Sequence, residues 1–151
     1  MAAYNKIQDF VEHLAEGVHN LSANQLMVAL SNTAPGAESP DPSLEGNGIL
    51  ANVTEVAYTY CSTRNITTSS SSQSTGGTYD LVLTDLTLTA SGGDVGPFQY
   101  IYVYNSAGTG VTNPLICYFN YGSALTLSTG ESLTIDFESD GPSTGSLLTL
   151  V

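Results

Sequence analysis

The sequence predicts an all-β protein, an antiparallel β-sandwich of jelly-roll type with about eight strands and one N-terminal amphipathic helix. Three observations predict it. From residue 26 onward the apolar residues recur mostly at a period of two, the strand period. The strand-like runs follow one another at short spacing, parted by turn residues, with no helical stretch between them to make parallel crossovers. Only one segment, "YNKIQDFVEHLAEGVHNL" at residues 4–21, carries the helical spacing, through Tyr4, Ile7, Phe10, Val11, Leu14, Val18 and Leu21.

The spacing predicts the helix over about 4–16, with Gly17 as its left-handed stop and His13 near the last turn. Asn5, Asp9, Glu12 and Glu16 then form its outer face. The apolar stripe has to be buried against another element.

"QLMVALS" alternates Leu26, Val28 and Leu30 against Met27, Ala29 and Ser31, a strand. Residues 32–48 hold Pro35, Pro40, Pro42, Gly36, Gly46 and Gly48, and read as a loop. "ILANVTEVAYTY" predicts a second β segment, bent near Asn52. Residues 61–77, polar and Ser-rich, read as a surface loop or flexible edge without a packing role.

"TYDLVLTDLTLTA" is a strand with a fault. Tyr79, Leu81 and Leu83 share a face, while Leu86, Leu88 and Ala90 have the other parity. A register shift at Thr84 and Asp85, of the kind a β-bulge provides, reconciles the two. After the turn "SGGDVGP", the strand "PFQYIYVYN" points Phe98, Tyr100, Tyr102 and Tyr104 one way and Ile101 and Val103 the other. Both faces are apolar, so both need cover. An opposing sheet covers one, and the N-terminal helix is the candidate lid for the other, with a subunit neighbour as the competing lid. "PLICYFNYG", "ALTLS", "SLTIDFE" and "LLTLV" complete the strands, with turns at "NSAGTGVTN", "STGE" and "SDGPSTG". In "GESLTIDFES", Leu133, Ile135 and Phe137 face inward, and Thr134, Asp136 and Glu138 outward. The 151 residues suffice for one domain with a real core, spanning 1–151.

Charge narrows the partners. There are 14 acidic residues against two basic ones, Lys6 and Arg64, for a net charge of −12 at pH 7. Such a surface repels phosphate backbones and anionic membranes, so neither nucleic acid nor membrane is expected as a partner. Charged residues make up 11% of the chain, well under the usual quarter, so Ser, Thr, Asn and Gly share the task of solvation. Asp9, Glu12 and Glu16 interrupt any apolar signal-peptide core, and no run reaches the length of a membrane span. The expectation is a protein made in a cytoplasm, with Cys61 and Cys117 as free thiols. The sequons at Asn52 and Asn65 are chance matches in a Thr-rich chain.

Chemistry-bearing residues are few. On one helix His13 and His19 stand about 240° apart and cannot share a metal, which leaves them solvated or as structural hydrogen-bond donors. No nucleophile elbow, phosphate cradle or CxxC pair occurs. "DFESDG" at 136–141 mimics part of a calcium loop, but position twelve of that loop falls on Leu147, and the flanks are strands. An acidic outer strand face is the simpler reading. No catalytic, cofactor-binding or metal-binding residue is expected, and no cofactor.

In order along the chain, "YNKIQDFVEHLAEGVHNL" with "LMVALSNTAP", then "ILANVTEV", "GTYDLVLTD", "LTASGGDVGPFQYIYVYN", "PLICYFNYG" and "LSTGESLTIDF" resemble a family of small structural proteins of tailed phages. These are encoded among virion head genes and act as capsid cement or decoration proteins. The likeness covers most of the chain, with the loops at 36–48 and 61–77 least typical. It implies a jelly-roll-like β domain on the outer capsid surface of the virion, assembled as dimers or trimers around local symmetry axes. Such a protein binds the major capsid protein and bridges neighbouring subunits. No catalytic residues come with the resemblance. The expected contacts are the N-terminal arm, Ala2, Ala3, Tyr4, Asn5 and Lys6, and the long loops, because chain ends and loops can order on docking. A tail or fibre component is the alternative within the virion. A carbohydrate-binding β-sandwich, stacking sugars on Tyr100, Tyr102, Tyr104, Tyr118 and Tyr121, is the alternative outside it.

Overall fold

A computed structural model describes residues 2–137 and 146–150. The described residues are mostly β, with antiparallel sheets and one α-helix. In chain order the described elements are β1 (Tyr4–Lys6), α1 (Asp9–Ala15), β2 (Leu26–Ser31), β3 (Asn65–Ile66), β4 (Thr68–Gln73), β5 (Tyr79–Leu83), β6 (Leu86–Thr89), β7 (Val95–Asn105), β8 (Leu115–Leu127), β9 (Ser132–Ile135) and β10 (Ser146–Leu150). They form a five-stranded sheet β1-β8-β7-β2-β3, a three-stranded sheet β10-β5-β4 and a two-stranded ribbon β6-β9.

The helix is shorter than its apolar stripe. It begins at Asp9, and Tyr4–Lys6 instead pairs antiparallel with β8, Tyr4 opposite Phe119 and Lys6 opposite Cys117. Tyr4 sits at a position that a strand and a helix both make apolar, so periodicity could not divide them. Ile7 and Phe10 are buried, while Val11 is 52% exposed. Asp9, expected on the outer face, is buried as well.

The long strand β7 is apolar on both faces, as its sequence requires. On one face Leu26, Val28 and Leu30 of β2 lie opposite Asn105, Val103 and Ile101. Cys117 and Phe119 of β8 continue that face from the other side. It joins Leu81, Leu83, Leu86, Leu88, Ile135 and Leu147 in a single buried core.

The other face carries Tyr100, Tyr102, Tyr104 and Tyr118. Its lid is the segment 32–50 and not the helix. That segment leaves the end of β2 at Ser31, beside Tyr100, and reaches β8 where the Leu115 N–H donates to the Gly48 carbonyl. Since β7 lies between β2 and β8, the chain has to cross β7. Tyr102 is fully buried beneath it, and the Glu38 and Asp41 carboxylates of this segment add to burial in raising its phenol pKa. The helix packs on β8 instead.

Other elements refine the expectations. The fault at Thr84–Asp85 is a change of sheet: β5 pairs β10 and β4, while β6 pairs β9. "ILANVTEVAYTY" is not a regular strand; it holds a 3-10 turn at Leu50–Asn52 and two isolated bridges, Ile49 to Pro114 and Glu55 to Ser31. Of the two readings of the Ser-rich segment, loop and edge, Thr68–Gln73 takes the second, because β4 pairs with β5 as the outer strand of its sheet. "PLICYFNYG" and "ALTLS" form one strand, β8, whose register against β7 shifts between Asn120 and Leu125. Leu133 is half-buried, Ile135 and Phe137 are buried, and Thr134 and Asp136 are exposed. Glu138 and the turn "SDGPSTG" lie outside the described residues.

Candidate functional site

The N-terminal arm is already part of a sheet. The Tyr4 ring meets Phe119 edge-on at 6.1 Å between centroids. Its hydroxyl is buried, and burial with the nearby Cys117 sulfur drives the phenol pKa far up. Asn5 donates from Nδ2 to the Ala3 carbonyl at 2.9 Å and to the Tyr118 carbonyl at 3.4 Å. Ala3 and Lys6 are exposed, and Ala2 is half-buried. Thus Tyr4 and Asn5 hold the arm to its own body, and Ala2, Ala3 and Lys6 are the positions left for a partner.

Beside the arm lies an open groove of about 410 Å³, with Ala2 and Tyr121 on its rim and Ile101, Phe119, Leu133 and Ile135 beneath. Tyr121 is 48% exposed. It follows Asn120 where β8 departs from its register with β7, and such bulges re-aim a side chain. The sequence marked Tyr121 only as one tyrosine among several; the break in alternation after "CYFNYG" was the available signal. Its neighbours differ: Tyr102 and Tyr104 are buried, and Tyr100 and Tyr118 half-buried. Four of these five tyrosines therefore belong to a covered sheet face.

The covering loop is held by named polar groups. Both carboxylate oxygens of Asp9 accept backbone N–H bonds, from Gly46 at 2.7 Å and Gly48 at 2.8 Å. A Cβ on Gly48 would stand 2.8 Å from Ile7 Cγ2 and 2.9 Å from Asp9 Oδ2, so only glycine brings the loop this close. Glu38 accepts from the Thr54 N–H at 2.7 Å and its hydroxyl at 2.9 Å. On the β3 side of β2, just past the short Asn65–Ile66 pairing, Arg64 donates to the Val28 carbonyl at 2.6 Å and lies 3.6 Å over the Tyr58 ring. Tyr58 in turn donates to Glu55 at 2.7 Å and accepts the Leu30 N–H at 2.8 Å.

His13 and His19 depart from expectation because the helix stops at Ala15 and the chain turns back. Their rings come within 5.9 Å, and His19 is 5% exposed. His19 is not solvated, and its Nδ1 faces the Asn105 amide nitrogen at 3.2 Å. Among the described residues no three His, Cys, Asp or Glu side chains gather to hold a metal. Of the calcium-like segment only Asp136 and Phe137 are described, and residues 138–141 lie outside the described part. Cys61 and Cys117 are free thiols, and burial pushes both upward in pKa, with Arg64 partly offsetting this at Cys61.

No protein-family model, curated protein or solved structure matches the chain.

Proposed function

We propose that this chain is a phage capsid cement protein: a jelly-roll-like β-sandwich that binds the outer face of the major capsid shell, bridges neighbouring subunits and assembles as a dimer or trimer. The observation that carries the reading is the apolar groove beside the N-terminal arm, a contact surface with rigid strands beneath it. Alternating parity on β7, β8 and β2, and one core shared with the other sheets, support the sandwich. The sequence resemblance supplies the shell as partner. Weak contacts per copy, repeated over a lattice, suffice for stable attachment through avidity. The high negative charge keeps unassembled copies apart.

The test is co-sedimentation with assembled capsids, with tails and with free shell subunits as parallel samples. Binding to capsids alone supports cement; binding to tails alone replaces it with a tail component. Tyr121→Ser, at an exposed position, lowers capsid binding about tenfold while leaving the melting temperature unchanged. A dimer or trimer in solution scattering fits the proposed assembly. The glycan-binding alternative predicts hits on a sugar array that vanish in Tyr121→Ser, since Tyr102 and Tyr104 present no free ring face.

A further inference from the structure

We propose that His13, His19 and Asn105 form an acid-operated latch: a proton arriving from solvent on His19 Nδ1 frees the 16–24 turn, and α1 with it, from the end of β7.

The hydrogen-bond directions are fixed by two backbone N–H groups. The Ala107 N–H donates to Asn105 Oδ1 at 2.9 Å, and the Asn20 N–H donates to Asn24 Oδ1 at 2.8 Å. Asn105 Nδ2 is therefore the amine end. It donates to Asn24 Oδ1 at 2.8 Å and faces His19 Nδ1 at 3.2 Å. His19 Nδ1 has to accept, so the neutral ring carries its hydrogen on Nε2. A proton on Nδ1 would set N–H against N–H₂ inside the protein. Turning the Asn105 amide over gives no escape: it abandons the Ala107 N–H and points Oδ1 at Asn24 Oδ1.

The surroundings add to the conflict. The His13 ring lies 5.9 Å away, and Phe10 closes another side at 5.3 Å. His19 Nε2 and His13 Nδ1 are both buried without a hydrogen-bond partner. On the elements around His19, α1 carries the ionisable groups Asp9, Glu12 and His13, Glu16 follows its last residue, and β5 carries Tyr79 and Asp80. The 20–24 and 105–109 turns, β4 and β10 carry none. Asp9 is spent on Gly46 and Gly48, Asp80 accepts from Thr149, and Glu12 and Glu16 are exposed. Of these, His13 is the group whose charge acts on His19, and it repels. Burial first, and His13 second, lower the His19 pKa to about 4. The released contacts are concentrated: beside the Asn105 pair, the Thr109 N–H donates to the Val18 carbonyl at 3.0 Å.

Nitrogen-15 spectra of the imidazoles, with amide exchange over a pH series, test the latch. At pH 7 His19 shows the Nε2–H tautomer, and it titrates near 4. Exchange at Thr109, corrected for intrinsic rates, rises about tenfold per pH unit below about 6.5. An Nδ1–H tautomer, or titration near 6.5 with protection unchanged, overturns the proposal. Asn105→Asp places an acceptor before Nδ1, so it raises the His19 pKa and abolishes the acid-induced exchange. An unchanged acid response in that variant also overturns it. If Asn105→Asp does not fold, the wild-type tautomer and exchange series decide alone.

Discussion

The two faces of the five-stranded sheet are covered by different physics. The face of Leu26, Val28, Leu30, Ile101 and Val103 meets aliphatic side chains from the other sheets, and area removed from water stabilises it. The tyrosine face lies under an irregular segment that has no ladder of its own. That lid is kept in place by side-chain carboxylates reaching backbone N–H groups, with Asp9 and Glu38 as its main braces. The lesson is that the same strand is insensitive to detail on one side and dependent on single atoms on the other.

Four substitutions sharpen or break that contrast. Leu30→Ala, on the aliphatic face, removes a fully buried side chain and costs about 2–5 kcal/mol, spread over the whole molecule. Urea unfolding should show a lower midpoint with an unchanged slope. Asp9→Ala deletes both charge-assisted bonds to the lid and costs about 3 kcal/mol. Its damage is local: amide exchange accelerates at Gly46 and Gly48 before β7 is affected. Uniform acceleration through β7 would erase the distinction between the faces. Gly48→Ala pushes a methyl into Ile7 and Asp9 and costs about 1–3 kcal/mol, with the same local pattern. Smallest is Arg64→Gln, which gives up the stacking on Tyr58 for about 1 kcal/mol, measured by thermal melting.

Acid separates the regions again. His19 has a folded-state pKa below its unfolded value, so neutral His19 favours the fold. That contribution is complete above about pH 6.5 and is lost as pH falls toward about 4. Melting temperature recorded from pH 8 to 4 should therefore decline in that window, and His19→Gln should flatten the decline.

The frame was legible where burial writes a period. β2, β7 and the outward Thr134 and Asp136 of the β9 segment followed from alternation, and the parity fault at Thr84–Asp85 marked a true discontinuity. Where backbone pairing without burial makes the element, the pattern was silent: β4 reads "TSSSSQ" because its side chains are mostly exposed or half-exposed. The helix start was misplaced because Tyr4 and Ile7 fit a helical stripe, although one lies on a strand and the other follows it. The lid escaped the reading for a different reason. Asp9 looks like any outward helix carboxylate until Gly46 and Gly48, far along the chain, fold back to meet it. Likewise the left-handed stop at Gly17 was legible, but not the path of the chain after it, which brings the His19 ring back to His13.

Lys6 is the chain's single lysine, and it is exposed on the short edge strand beside the groove. An amine-reactive dye or gold label directed to its ε-amine is thereby fixed to one strand of a rigid sheet. That makes the orientation of each copy on any larger assembly readable from the position of one tag.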